Sequence, residues 1–137
     1  MDVKNKRVIV TGAASGIGKA LCEAFHQAGA KSVIAVDINL DGAQETADSV
    51  DGIAVQANVG NEKDIINLIE KANEHVGGID IFCSNAGIGG VPGFFEVEAS
   101  DWQNIWDVNV QSHIFAAKHV LPQMIERGEG YLVNTSS

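Results

Sequence analysis

Arg7–Val8–Ile9–Val10–Thr11 runs straight into Gly12–Ala13–Ala14–Ser15–Gly16–Ile17–Gly18, and a helical pattern follows to about Ala28. Strand, glycine turn and helix in that order form the context in which glycines mark a bound dinucleotide. A turn that approaches a pyrophosphate must present bare backbone, because a Cβ facing the phosphate gets in the way. Gly12, Gly16 and Gly18 supply the bare positions. The helix start supplies oriented N–H groups and partial positive charge, and the Ser15 hydroxyl is a further donor. The spacing is G-x-x-x-G-x-G, not the commoner G-x-G-x-x-G, and it lacks the Lys and Ser/Thr of a nucleoside triphosphate loop. The competing reading is a tight turn that only lets the helix pack closely on its sheet.

Working outward, strands alternate with helices. Strands are predicted over Arg7–Thr11, Ser32–Asp37, Gly52–Ala57, Ile79–Cys83 and Tyr131–Thr135. The first two are almost continuously apolar, as strands covered on both faces should be. The first helix spans Gly16–Ala28, with Ile17, Leu21, Ala24, Phe25 and Ala28 as its buried stripe and Gly29 ending it. Leu40–Ser49 is a short helix. Asn61 caps the next, which buries Ile65, Leu68, Ile69, Ala72 and Val76 and stops at Gly77–Gly78. Ser100, with Gln103 three residues on, reads as the cap of a long helix over Asp101–Arg127, kinked or divided at Pro122. This order predicts an α/β fold: a doubly wound, Rossmann-type parallel sheet of about five strands in three α/β/α layers with right-handed crossovers. The 137 residues form one domain.

Composition narrows the partners. With 45% hydrophobic and 20% charged residues the chain reads as an ordinary globular domain. A formal net charge of -9 leaves no basic surface for nucleic acid. No apolar run approaches a membrane span, and no signal peptide is visible at Met1–Lys6. Cys22 and Cys83 lie at neither metal nor redox spacing, so a reducing, cytoplasmic setting is expected. His26, His75, His113 and His119 show no metal spacing, nor do Glu96, Glu98 and Asp101, and no metal is expected.

Parallel sheets bind ligands beyond the carboxyl ends of their strands. Asp37, followed by Ile38, ends the second strand. A carboxylate there accepts both ribose hydroxyls of an adenosine and repels a 2′-phosphate, which favours NAD(H) over NADP(H). Asn39 and Asp41 read as turn or cap residues. Asn58 can hydrogen-bond adenine while Val59 packs on the ring. Asn85, Ala86 and Gly87 let a cofactor pass close to the backbone, though Asn85 also suits a local tie between the fourth and fifth strands. Phe94, Phe95 and Val97 offer one apolar wall for a substrate.

These motifs together resemble the short-chain dehydrogenase/reductase family over nearly the whole chain. Thr11–Gly18 is similar to its TGxxxGxG cofactor motif, and Asp37 stands where the family prefers NAD. Asn58–Val59 resembles its adenine-contacting Asp–Val pair, with Asn for Asp. Ser84–Asn85–Ala86–Gly87 resembles N-N-A-G, with Ser for the sheet-stabilising first Asn. Asn109 matches the catalytic Asn that holds a water in a proton relay, and Ser137 matches the catalytic Ser that polarises the substrate oxygen. The resemblance implies hydride transfer between NAD(H) and an alcohol or carbonyl substrate. It also implies a homodimer or homotetramer built partly on the long helix, through exposed residues among Trp102, Trp106, Ile114, Phe115 and Met124.

The family's base is a Tyr with a Lys four residues later, acidified from an ordinary pKa of about 10. The only Tyr here is Tyr131, with Thr135 four residues on, so it reads as a strand residue. The expectation is therefore the N-terminal, cofactor-binding part of a longer single-domain enzyme, inactive alone. The alternative is a non-catalytic nucleotide-binding or regulatory protein.

Overall fold

A computed structural model describes residues 2–90, 93 and 95–136. The chain alternates as expected: β1 (Arg7–Thr11), α1 (Gly16–Gln27), β2 (Ser32–Asp37), α2 (Leu40–Ser49), β3 (Ile53–Gln56), α3 (Glu62–Val76) and β4 (Ile81–Ser84). Then come α4 (Ala99–Trp106), a π-turn (Asp107–Gln111), α5 (Ser112–Arg127) and β5 (Tyr131–Asn134). Local chemistry sets several of these limits. Asn39 and Asn61 cap α2 and α3 by accepting backbone N–H groups with their side chains. The limits of β2, α2 and α3 fall where the sequence places them.

Three local expectations are corrected. Helix α1 buries Gly18 and Cys22, flanked by partly buried Leu21 and Phe25, whereas Ile17, Ala24 and Ala28 face solvent. Small residues take the inner face because the helix start lies against backbone. Helix α4 begins after Glu98, not Ser100; the Glu98 N–H donates to the Asp101 carboxylate at 2.9 Å, and Ser100 lies inside the helix. The long helical stretch is interrupted at the π-turn, while α5 runs on through Pro122. The strand limits shift as well: β3 lacks Gly52 and Ala57, β4 starts after Asp80 and takes in Ser84, and β5 ends before Thr135.

All five strands are parallel, in the order β3-β2-β1-β4-β5. Period-two alternation divides the core in two. Val8, Val10, Val33, Ala35, Ile81 and Cys83 pack with Cys22, Ala47 and Val50 of the α1/α2 side. Ile9, Ile34, Val36, Val55 and Phe82 pack with Ile65, Leu68, Ile69, Ala116 and Val120 of the α3/α5 side. Both cysteines are free and sit in the first of these cores, where burial pushes their thiols up to about 12. Phe95 lies on the surface at 97% exposure, so it builds no apolar wall, and Phe94 lies outside the described residues. No helix among the described residues is long and apolar enough to cross a membrane.

The end of the sheet away from the strand carboxyl termini is held by one buried carboxylate. Asp80 accepts from the Arg7 backbone N–H at 2.9 Å, from its Nε at 2.8 Å and from its Nη2 at 2.7 Å. The same guanidinium donates to the Gly77 carbonyl, and Arg127 donates to the Ile79 carbonyl. The hydrogen bonds from Arg7 lower the Asp80 pKa from 3.8 to about 2. Because the folded-state pKa lies below the unfolded one, this stabilisation is complete above about pH 4 and is lost as pH falls towards 2. Asp80→Asn is expected to cost about 2–4 kcal/mol at pH 7, because it leaves the half-buried Arg7 guanidinium without its anionic partner. Urea unfolding at pH 7 and pH 2.5 checks this: the gap between wild type and variant should shrink at the lower pH, and a constant gap would refute the assignment.

Candidate functional site

The strand order reverses between β1 and β4, and the carboxyl ends of these two strands part to form a crevice. Thr11 fixes its floor. Its hydroxyl accepts the N–H groups of Asn85 and Ala86, both at 3.0 Å, and donates to the Cys83 carbonyl at 3.3 Å. Asn85 answers from the other side. Its Nδ2 donates to the Thr11 carbonyl at 3.1 Å, and its Oδ1 accepts from the Thr135 hydroxyl at 3.0 Å. The Asn85 side chain thus ties β1 to the residue that follows β5. Ala86, with its single methyl group, and Gly87, with no side chain, line the crevice beyond β4.

The glycine loop lies directly above. Gly12 has φ +70°, and a Cβ there would come within 2.9 Å of the Ala86 Cα. A Cβ on Gly18 would overlap the Gly12 carbonyl, so these two glycines are required by packing as well as by any ligand. The loop is pinned at three points. The Ala13 N–H donates to the Val36 carbonyl at 3.0 Å, the Ala14 N–H to Asp37 Oδ2 at 3.0 Å, and the buried Thr46 hydroxyl to the Ala13 carbonyl at 2.8 Å. What the loop leaves open is the start of α1. Ser15 is its N-cap but makes no side-chain capping bond, unlike Asn39 and Asn61 on the next two helices. The space beside Gly16 is also open: a Cβ there would meet nothing within 4 Å. An uncapped helix start under open space, with bare backbone around it, fits a pyrophosphate.

Beside the glycine loop a cleft extends over the strand ends. Gly12, Asp37, Ile38, Asn58, Val59, Ala86 and Gly87 line it, as read from sequence, and Ala57, Ile88, Asn104 and Val108 join them. Ala57 stands just beyond β3, while Ile88, Asn104 and Val108 come from the loop after β4, from α4 and from the π-turn, which nothing local in the sequence brings to the strand ends. Asp37 spends both oxygens on backbone, Oδ1 accepting from the Asn39 N–H and Oδ2 from the Ala14 N–H, each at 3.0 Å. Asn58 Oδ1 accepts from the Gly60 N–H at 3.0 Å. Ile17 points away from the sheet at 65% exposure.

Asn109 sits in the π-turn and treats the loop after β4 as a strand partner. Ile88 N–H donates to its Oδ1, and its Nδ2 donates to the Ile88 carbonyl, both at 2.8 Å. The amide fixes that loop to the helix beside the cleft. Ser137, the other catalytic residue expected from the sequence, lies outside the described residues.

With this geometry in view, comparison with known proteins decides the family. A model described as short chain dehydrogenase matches residues 6–137. The chain belongs to the short-chain dehydrogenase family. Glucose 1-dehydrogenase 2 of Bacillus subtilis (strain 168) is 34% identical over 143 residues, covering 99% of this chain and 55% of that protein. Tropinone reductase-like 1 of Erythroxylum coca is 38% identical over 141 residues, covering 98% of this chain and 52% of that protein. A crystal structure of hydroxysteroid dehydrogenase from Escherichia coli superposes with a TM-score of 0.90 at 31% identity, covering 99% of this chain and 58% of that one. The chain therefore spans a little over half the length of these relatives. Short-chain dehydrogenases bind a nicotinamide dinucleotide, and the open helix start and cleft described above fit one.

Gly18→Ala should lower stability by about 2 kcal/mol or more, because its methyl group meets backbone that cannot rotate aside. An unchanged urea midpoint for Gly18→Ala would show that α1 does not rest on the glycine loop as described.

Proposed function

We propose that this chain forms the NAD(H)-binding part of a longer single-domain oxidoreductase that transfers hydride between the nicotinamide and an alcohol or carbonyl carbon. The observations that carry this are the uncapped start of α1, with open space beside Gly16, and the cleft over the strand ends that Gly12 and Asp37 line. The coverage of relatives, 55% and 52% of their lengths, supports the placement within a larger enzyme.

When bound, the nicotinamide supplies or accepts the hydride. The residues described do the rest of the binding work. The first-turn N–H groups of α1 and the Ser15 hydroxyl hold the pyrophosphate. Asp37 stands at the ribose, its carboxylate already fixed in place by Ala14 and Asn39, and Gly12, Ala86 and Gly87 keep backbone close beneath. Asn109 holds the Ile88 loop against the helix; with Ser137 it belongs to the substrate end of the site. Proton transfer is assigned to no described residue. Tyr131 lines an apolar groove with Val3, Phe25, Ile81 and Val133 at the beginning of β5, the opposite end of the strand from the cleft. The family's Tyr and Lys have no counterpart among these residues.

Preference for NAD(H) over NADP(H) rests on charge. The cleft is lined by the Asp37 carboxylate and by no Lys or Arg among the described residues. A 2′-phosphate would meet that carboxylate without compensation. Fluorescence titration should show NADH bound about tenfold or more tightly than NADPH, and equal affinities would overturn the preference. Buried free thiols suit a reducing, cytoplasmic setting.

The same reading includes self-association through the helical stretch. Trp102, Trp106 and Ile114 are 55%, 51% and 56% exposed, and Leu121 and Ile125 continue the apolar surface along α5. Phe115 and Met124 turn inward onto the core and take no part. Sedimentation should show a dimer or tetramer that the double variant Trp106→Glu/Ile114→Glu reduces to monomer. A wild-type monomer would remove this part of the proposal.

A further inference from the structure

One peptide unit of the glycine loop is held at both ends, and one of its two holders stands outside the cleft. The carbonyl of the Ala13–Ala14 peptide accepts from the Thr46 hydroxyl at 2.8 Å, and its N–H donates to Asp37 Oδ2 at 3.0 Å. Thr46 lies on α2, is fully buried and does not line the cleft. Among the described residues no other donor reaches the Ala13 carbonyl. A threonine inside a helix ordinarily returns its hydroxyl to the carbonyl four residues back. That acceptor is present, the Gly42 carbonyl at 3.2 Å. The hydroxyl has one proton to donate, and the shorter contact is the one to the loop. Gly42, one turn earlier on α2, brings the helix close enough: a Cβ there would lie 2.7 Å from the Ala14 Cβ.

The orientation of this peptide bears on what the loop can bind. With its carbonyl turned onto α2, the peptide offers its negative end to a buried hydroxyl rather than to an anion at the start of α1. The same orientation delivers the Ala14 N–H to Asp37. The peptide is planar, so it cannot turn away from one partner without moving the other. A methyl group in place of the hydroxyl could not keep the 2.8 Å approach, because carbon and oxygen come no closer than about 3.3 Å. The carbonyl would withdraw, and the Ala14 N–H would turn with it.

We propose that Thr46 is a positioning residue for the dinucleotide: with Asp37 it clamps the Ala13–Ala14 peptide, and so holds the glycine loop and the Asp37 carboxylate in the arrangement that takes the cofactor. This rests on the dinucleotide reading given above. It adds the residue, remote from the ligand, that readies that site.

The test measures NADH dissociation constants by fluorescence, and urea midpoints, for the 137-residue chain and for Thr46→Val, Thr46→Ser and Ala47→Gly. Binding is read where circular dichroism shows each protein folded. Thr46→Val keeps the bulk and removes the donor, so it should weaken NADH binding about tenfold. Thr46→Ser keeps the donor and loses a buried methyl group. It should unfold at lower urea yet bind NADH within about twofold of wild type. Ala47→Gly loosens the same helix without touching the loop, and it too should lower the midpoint and leave the affinity in place. Amide exchange followed by NMR gives a readout apart from binding: the Ala14 N–H should exchange about tenfold faster in Thr46→Val than in wild type. An affinity unmoved by Thr46→Val, or an equal loss in Thr46→Ser or Ala47→Gly, overturns the inference and leaves dinucleotide binding intact. If Thr46→Val does not fold, the other two variants and the wild-type exchange decide. Slow Ala14 exchange with affinity kept in Thr46→Ser upholds the clamp, and unprotected Ala14 exchange in wild type overturns it. A folded wild type that binds no NADH overturns the cofactor reading and this inference with it.

Discussion

The rest of the structure depends on the knot that Thr11 makes at the carboxyl ends of β1 and β4. One hydroxyl accepts two backbone N–H groups and donates to a carbonyl, inside the sheet, where an unpaired polar group would cost about 1–3 kcal/mol. Because those bonds are met, the chain can leave β1 as a glycine turn and leave β4 as an open loop without burying orphaned backbone. The two departures are what hold the crevice open. Asn85 extends the same knot to Thr135 beyond β5, so three strand ends are fixed by a few side-chain atoms. A ligand that lies across them meets a floor organised before it arrives.

The two ends of the sheet are treated in opposite ways. At the strand starts, helix carbonyl ends converge and cations close over them: Arg7 reaches the Gly77 carbonyl after α3, Arg127 reaches the Ile79 carbonyl, and Asp80 balances both. At the strand ends, helix amide ends converge. Two of them, on α2 and α3, are closed by their own asparagines, and the start of α1 is left unclosed. The field of α1 is therefore available at one place only among these three, directly over the glycine loop. Asp37 lies near this helix start without closing it. Its carboxylate is engaged by two backbone N–H groups of the loops it borders.

The architecture was legible because it is written in periods and punctuation. Runs such as Val33–Val36 are apolar on both faces, Asn61 marks a helix start, and Asn39 reads as a turn or cap residue. The lining of the cleft from Gly12 to Gly87 was legible for the same reason, since each residue stands just beyond a strand. What failed was whatever depends on close approach or on distant partners. Helix α1 buries Gly18, which lies against the backbone of the loop, and Cys22, which packs on the strands, whereas a hydrophobicity pattern favours the bulkier Ile17. Thr11 looked like the last residue of a strand; its hydroxyl is the single polar side chain inside an apolar run ending at the glycines, a signal that deserved more weight. Ile88, Asn104 and Val108 reach the cleft only because α4 folds back over it, and nothing local in the chain says so. Pro122, the residue type that kinks or divides helices, lies inside an uninterrupted α5, and the long helix is divided instead at Asp107–Gln111, where no breaker stands.

That π-turn makes the length of the chain a constraint distinct from its composition. A π-turn holds one residue more than the α-helical ladder needs, and the surplus falls in the segment that contains Asn109. Removing any one residue there would let the ladder close as ordinary α-helix. It would also swing everything before it by about 100° around the axis. Trp102 and Trp106 would leave their face, Asn104 and Val108 would leave the cleft, and Asn109 would no longer meet both groups of Ile88. Single substitutions in this segment alter a contact, but a single deletion alters the phase of two helices at once. The number of residues along this stretch is thus a constraint separate from their identity.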